Sequence, residues 1–136
     1  ADVTNSYLAA ANFENTSLQG ATLQGADLSG ANLRNADLED ANLSGATLRN
    51  ADLSDADLQG ANLQKTDLQG ANLKGADLSR ANLQEANLQG ANLQGANFRA
   101  ADLAQAVFTN ATLDSDTKLN GTWEQVLLTR ISQMTL

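Results

Sequence analysis

Most of the titratable side chains in this chain are carboxylates. The 136 residues include sixteen Asp and Glu, eight Lys and Arg, and no His, Cys or Pro, so the formal net charge is −8. Disulfides, thiolate zinc sites, imidazole metal ligands and nucleophiles paired with a His are therefore excluded. Paired carboxylates can act as an acid and a base or hold a divalent cation. A surface of this charge repels a phosphate backbone, so we expect no direct binding of nucleic acid.

A five-residue repeat fixes the position of most of these carboxylates. From Val3 to Leu113 every fifth residue is apolar, and nineteen of these 23 central residues are Leu. The small position, two residues before the central one, is Ala in twenty units, and the middle position between them is Asp, Asn or Thr in twenty units. The corner position, two residues after the central one, holds nine of the ten glycines.

Neither regular secondary structure keeps a period of five on one side of the chain. In a strand successive central residues point to opposite faces, and in an α-helix they are spread around the axis. A chain that turns once per unit keeps them together. Gly or Asn stands at the corner position in 14 of 23 units, where a type II turn needs a residue that tolerates positive φ. Asp, Asn and Thr at the middle position can bond to neighbouring backbone groups, as they do in turns.

The motif A(D/N)LXX, seen in Ala26-Asp27-Leu28-Ser29-Gly30, resembles the pentapeptide-repeat family. The resemblance implies an all-β solenoid, namely a right-handed quadrilateral β-helix of five to six 20-residue coils with the central and small residues inside. We assign about 23 tandem repeats to residues 1–115 and a capping segment to residues 116–136. The alternative is a helical or disordered low-complexity segment, but each glycine would cost a helix about 1 kcal/mol.

The last part of the chain predicts an α-helix. Thr122-Trp123-Glu124-Gln125 has the pattern of a capping box, and apolar residues follow at helical spacing. We expect an amphipathic helix over residues 122–134 that covers the C-terminal coil, because a solenoid end needs a cap. An alternative is that this helix binds a partner or forms a dimer. The predicted cap consists of Trp123, Leu127, Ile131 and Met134.

One group of carboxylates is a candidate interaction surface. With coils of twenty residues, Asp37, Asp57 and Asp77 stack on one face, and Glu39 and Asp40 lie beside the first of them. Like charges at strand spacing repel one another, so a bound partner or cation would stabilise them. Two further interpretations are that Asp serves only turns and solubility, or that the stack is a weak divalent-cation site. We assign no catalytic, cofactor-binding or metal-binding residue, because a core of Leu and Ala leaves no cleft for a substrate.

These observations favour a non-catalytic structural or protein-interaction module of unknown partner that needs no cofactor. Some members of the family resemble duplex DNA in width and charge and bind DNA gyrase, so the alternative is gyrase binding through the acidic face. No apolar stretch is long enough to span a bilayer, and we expect a monomer or an end-to-end dimer. The resemblance is strongest to cyanobacterial and plastid members, which favours an exported location, the thylakoid lumen or periplasm, over the cytoplasm.

Overall fold

A computed structural model describes residues 1–119 as a coil in which each five-residue unit forms one side. The middle residue of each unit makes a parallel bridge to the middle residue of the unit twenty residues later, beginning with Asp2↔Thr22 and Tyr7↔Asp27. Four units therefore complete one turn, as the resemblance implies. Each strand is a single bridged residue, and residues 1–119 contain no helix. The helix predicted over 122–134 lies outside the described residues.

The four sides of the coil form four flat walls. We number them 1 to 4 by their first central residues, which are Val3, Leu8, Phe13 and Leu18, and each wall continues with every twentieth residue. Hydrogen bonds run along every wall from one coil to the next. The Leu28 N–H, for example, donates to the Thr47 carbonyl at 2.7 Å. The coils are therefore held together by the same ladder on all four sides, and the surface of each wall repeats at the spacing of parallel strands, about 4.8 Å.

Each corner from Asn5 to Asn110 is a turn with a left-handed residue. The N–H of a small residue donates to the carbonyl of the preceding central residue, as from Ala31 to Leu28 at 3.0 Å. The corner residue between them has a positive φ of 56° to 70° at all 22 corner positions from Asn5 to Asn110. Nine of these residues are Gly and five are Asn. The type II turn predicted from Gly and Asn is confirmed, and it also forms where the corner residue is neither.

The middle residues explain the abundance of Asp and Asn. Each of the eight Asp and nine Asn at this position accepts, through its side-chain Oδ1, the N–H of the residue two positions later, at 3.0–3.2 Å. This bond satisfies an amide that points out of the coil just before the corner. Asp and Asn perform this backbone role equally well, since only the amide or carboxylate oxygen is used.

The core is a continuous stack of central and small residues. From Ala21 to Leu113 all of them are buried, and none exposes more than 7% of its surface. The single polar residue among them, Thr66, donates its hydroxyl to the Leu63 carbonyl at 2.7 Å. The first coil differs, because its central residues are only partly buried. The inward assignment of the central Leu and Phe residues is therefore confirmed, and the central residues of the first coil are the least enclosed of the 23.

The period changes once, after Leu113. One additional residue in the corner delays the next bridge, so that Asn97 pairs with Lys118, 21 residues away. The Asp114 carboxylate rebuilds this corner by accepting the N–H groups of Gly95 and Thr117 at 3.0 and 3.1 Å. Desolvation acts to raise the pKa of Asp114, but these hydrogen bonds outweigh it and hold the pKa below its usual value. The ladder thus reaches Lys118, beyond the change of period.

Replacing a central Leu should destabilise the fold far more than replacing its outward neighbour. Leu88 is fully buried, whereas Gln89 is exposed and forms hydrogen bonds through its backbone groups, with the Asn87 side chain and the Gly70 N–H. We expect Leu88→Ala to lower the free energy of unfolding by about 2–5 kcal/mol and Gln89→Ala to change it by less than about 0.5 kcal/mol. Urea unfolding followed by circular dichroism measures both values. Equal losses would contradict the inward assignment.

A glycine should stabilise a corner that now has a side chain. Ala100 has φ +59°, a conformation that is costly for any residue with a Cβ. We expect Ala100→Gly to raise the free energy of unfolding by about 0.5–1 kcal/mol, and the control Ala104→Gly, at a position without positive φ, to lower it by a similar amount. Thermal melting of both variants is the measurement, and a lower melting temperature for Ala100→Gly would argue against strain at this corner.

Candidate functional site

The predicted acidic residues lie together on wall 4. Asp37 is bridged to Asp57, and Asp57 is bridged to Asp77, so the three carboxylates form one column across three successive coils. Glu39 follows Asp37 on the same wall. The Asp40 side chain leans along the coil axis over Gly60, where a Cβ atom would collide with its Oδ1. We call these residues the acidic patch: Asp37, Glu39, Asp40, Asp57 and Asp77.

The backbone holds the column of the patch in place. The Oδ1 atoms of Asp37, Asp57 and Asp77 accept the N–H groups of the residues two positions later, each at 3.0 Å. The second carboxylate oxygen of Asp57 also accepts the Gln59 side-chain amide at 3.3 Å. Each Asp is half-buried against its wall. Because one oxygen of each carboxylate is tied to the turn, the negative charges cannot move apart as they would on flexible side chains.

Three of these carboxylates approach one another closely. Single oxygen atoms of Asp37, Glu39 and Asp57 all lie within 4.8 Å of one another, and all three residues are half-buried. Carboxylate oxygens are the donors that Ca²⁺ and Mg²⁺ prefer. Within residues 1–119 no other Asp, Glu, His or Cys joins this trio. The trio is therefore a place of concentrated negative charge on an open wall.

The other end of wall 4 is basic. Arg80 occupies the corner after Asp77, and its guanidinium donates to the Gln59 side-chain carbonyl at 3.2 Å. Arg99 lies on the same wall one coil later, and Lys118 follows at the middle position, because it bridges Asn97. The twenty-residue period alone places Arg80 and Arg99 on this wall, but it does not place Lys118, whose wall depends on the one-residue change of period. Wall 4 therefore changes from negative to positive along the coil axis.

The remaining walls carry three ion pairs. Arg49 forms an ion pair with Asp67, the Arg34 Nε atom lies 3.9 Å from an Asp52 oxygen, and the Lys65 Nζ atom lies 3.8 Å from a Glu85 oxygen. These are the ion pairs found within residues 1–119, and none of them includes a residue of the acidic patch. The acidic patch is thus a group of five carboxylates on one wall that form no ion pair among residues 1–119.

A shallow depression lies on wall 1. It is open to solvent and lined by neutral polar groups and one cation. Such a surface neither encloses a substrate nor desolvates a reactive group. The lining residues are Gln24, Ser44, Gly45, Gln64 and Lys65.

The sequence profile of the Pentapeptide repeats family matches residues 1–35, 36–75, 76–114 and 86–122, with eight copies of the motif. The chain therefore belongs to the pentapeptide repeat family, whose members fold as right-handed quadrilateral β-helices and are in general non-enzymatic. The alternative of a helical or disordered segment is wrong for residues 1–119. No match was found among the curated proteins.

Several solved structures are similar to this chain. The pentapeptide repeat protein alr5209 from Nostoc PCC 7120 is 39% identical over 73% of this chain and 79% of its own, with a TM-score of 0.53. The pentapeptide repeat protein Rfr23 from the cyanobacterium Cyanothece 51142 is 35% identical over 76% of this chain, with a TM-score of 0.46, and this chain spans 64% of its length. QnrB1, a plasmid-mediated fluoroquinolone resistance protein, is 17% identical over 98% of this chain and 92% of its own, with a TM-score of 0.53, and shares the fold.

In residues 1–119 there is no helix of the length and apolar character needed to cross a bilayer.

The Asp57 side chain has two roles, a hydrogen bond to the turn and a negative charge in the column. A variant that removes the charge and keeps the hydrogen bond should separate them. In Asp57→Asn the side-chain oxygen still accepts the Gln59 N–H, but the repulsion from Asp37 and Asp77 is lost. We expect this variant to be more stable by about 0.2–1 kcal/mol at low ionic strength, with the gain falling as salt is added.

Asp57→Ala and Asp67→Asn are the matched controls. Asp57→Ala loses the turn bond as well and should be destabilised by about 1 kcal/mol. Asp67→Asn removes a carboxylate that is paired with Arg49, so it should give no gain. Urea unfolding at low and high salt measures all three variants. A destabilised Asp57→Asn would show that the column is not under electrostatic strain.

Proposed function

We propose that this chain is a non-catalytic protein-interaction module that binds a basic partner through the acidic patch. The single observation that supports this most strongly is that five carboxylates share one wall and form no ion pair among residues 1–119. A cationic partner would replace repulsion between stacked carboxylates with charge-assisted hydrogen bonds. Part of the free energy of binding would thus come from relief of the repulsion that these carboxylates exert on one another in the unbound protein.

The fold itself gives no reason for Asp in this column. Asn makes the same bond to the backbone at nine middle positions, at the same distances. Asp37, Asp57 and Asp77 could therefore be Asn without loss of the turn, and Asn would remove the repulsion between coils. Three consecutive Asp residues on one wall are better explained by recognition than by folding.

A rigid wall suits recognition more than catalysis. The central and small residues fill the interior from Ala21 to Leu113, so within residues 1–119 the core leaves no cleft in which the pKa of a reactive group could be tuned. In return, the carboxylates are fixed before a partner arrives, and little conformational entropy is lost when it binds. The module therefore presents a preformed pattern of charge rather than a pocket.

The order of charges on wall 4 defines the partner further. Carboxylates occupy the coils that contain Asp37, Asp57 and Asp77, and cations follow at Arg80, Arg99 and Lys118. A partner with Lys or Arg opposite the patch and neutral or acidic groups beyond it would bind in one orientation, because reversal would bring like charges together. We infer a basic strand or loop aligned with the coil axis.

Affinity capture from a native extract tests the proposal. The bait is the chain itself, compared with an Asp37/Asp57/Asp77→Asn variant and with an Asp27/Asp52/Asp67→Asn control, which has the same net charge and keeps its middle-position bonds on other walls. We expect partners held by the wild type and the control to be lost from the patch variant and released by salt. Equal capture by all three baits would contradict the proposal.

Gyrase binding by DNA mimicry is the second candidate, supported by the net charge of −8 on a four-sided rod. It differs from the first in that the partner is a surface evolved to hold duplex DNA. An assay of gyrase supercoiling with the same three proteins separates the two. Inhibition by the wild type and the control, but not by the patch variant, would favour gyrase, and no inhibition at micromolar protein would remove this candidate.

A further inference from the structure

The basic end of wall 4 has three cations that form no ion pair among residues 1–119. Arg80, Arg99 and Lys118 are all exposed, and the hydrogen bond from Arg80 goes to Gln59, which is neutral. The acidic patch on the same wall is unpaired as well. One flat wall therefore carries two groups of opposite charge in a fixed order along the coil axis.

This order of charges is complementary to itself when it is reversed. In a symmetric pair, two walls that face each other are related by a two-fold axis that lies between them. An axis parallel to the coil axis would put each coil opposite its own equivalent, so carboxylates would face carboxylates. An axis perpendicular to the coil axis reverses the order of the coils and puts the acidic end of each wall opposite the basic end of the other. The antiparallel arrangement therefore gains attraction between unlike charges.

The positions of the charges select one register of the antiparallel pair. With the axis level with Asp77, that residue faces itself, and with the axis between the coils of Asp57 and Asp77, these two face each other; both registers oppose like charges. With the axis between the coils of Asp77 and Asn97, Asp57 faces Lys118 and Asp77 faces Asn97. Asp77 then also lies beside Arg99 of the second copy, which follows Asn97 on the same wall. Among the described residues of wall 4, this register opposes no like charges.

We propose that two copies of this chain pair wall 4 to wall 4 in this antiparallel register. The pairing rests on the proposed function, in which the acidic patch binds a basic partner, and it identifies a second copy as such a partner. By symmetry the contact between Asp57 and Lys118 occurs twice. Packed sheets lie about 10 Å apart, which Asp and Lys side chains can bridge between them.

The size of the contact implies a weak dimer. One wall of a few coils is smaller than the roughly 800 Å² per partner that stable complexes bury. At the rim toward wall 3, Asp55 lies opposite Asp116, but both side chains are exposed and their charges are screened. We therefore expect a dimer that forms at high protein concentration and low salt and separates as salt is added.

Reversal of charge tests the pairing and its symmetry. Asp57→Lys and Lys118→Asp each oppose like charges at both contacts, so we expect either variant alone to raise the Kd of the dimer by about tenfold. An equimolar mixture restores both contacts, because one variant has only cations at these two positions and the other only carboxylates. We expect the mixture to dimerise as the wild type does. Analytical ultracentrifugation over a range of concentrations at low salt measures each Kd.

Asp27→Lys is the matched control for the charge reversal. It changes the net charge by the same amount as Asp57→Lys and removes the same kind of middle-position hydrogen bond, but on wall 2. We expect it to leave the Kd of the dimer unchanged. A loss of dimer in this control equal to that in Asp57→Lys would show that the effect does not belong to wall 4.

Cross-linking with a carbodiimide determines the register, because this reagent joins a carboxylate to an amine in contact with it. Within one copy Asp57 and Lys118 lie three coils apart, about 14 Å, so an amide between them must join two copies. We expect this amide to be the main cross-link of the covalent dimer when its peptides are identified by mass spectrometry. A main cross-link from Asp37 to Lys118 would place the axis level with Asp77 and overturn the register.

Two further results would overturn the pairing itself. One is a wild type that stays monomeric at millimolar concentration and low salt, and the other is a mixture that dimerises no better than either variant alone. A monomeric wild type that still captures a salt-sensitive partner through the acidic patch would reject the pairing and leave the proposed function intact. Rescue in the mixture, with no capture of any other protein through the patch, would keep the pairing and reject other basic partners.

Discussion

One left-handed corner in every five residues determines the rest of this structure. Because φ is positive at all 22 corner positions from Asn5 to Asn110, the chain turns by about a right angle after each central residue. The central residues therefore meet on one axis, and the middle residues bridge their equivalents twenty positions away. Eight corners achieve this without Gly or Asn, for example at Lys65 and Arg80. The strain at those corners is balanced by the ladder on all four walls, so stability is shared between coils and does not belong to single units.

Much of the fold could be predicted from the sequence, because the pattern of five excludes a helix and a flat strand. The turn, the inward central residues and the role of Asp and Asn beside the backbone all followed from residue types. The number of units per coil did not, since it depends on the angle of each corner, and it came from the resemblance. Lys118 was missed for a related reason: a corner can absorb one additional residue, and the sequence does not show that the Asp114 side chain replaces part of the turn. The C-terminal helix stays a prediction.

The acidic patch shows how one residue type can serve two purposes. As part of the fold, Asp37, Asp57 and Asp77 hold a backbone amide, as the nine Asn residues at equivalent positions do. As part of the surface, they place charge in a column that the ladder keeps closely spaced. Sequence reasoning identified the column once coils of twenty were assumed, but it could not show which oxygens are occupied. The structure shows that the backbone engages one oxygen of each Asp, and that the acidic patch forms no ion pair among residues 1–119.

The four-unit turn links the length of the array to the direction in which each side chain faces. Adding or losing a single unit would rotate every later residue by a quarter turn, so that Arg99 and Lys118 would leave the wall of Asp37 and Asp57. Only a change of four units, or of one residue absorbed in a corner, keeps the surfaces aligned. Duplication of a single five-residue unit within such a gene therefore produces new combinations of charge on a wall without altering the core.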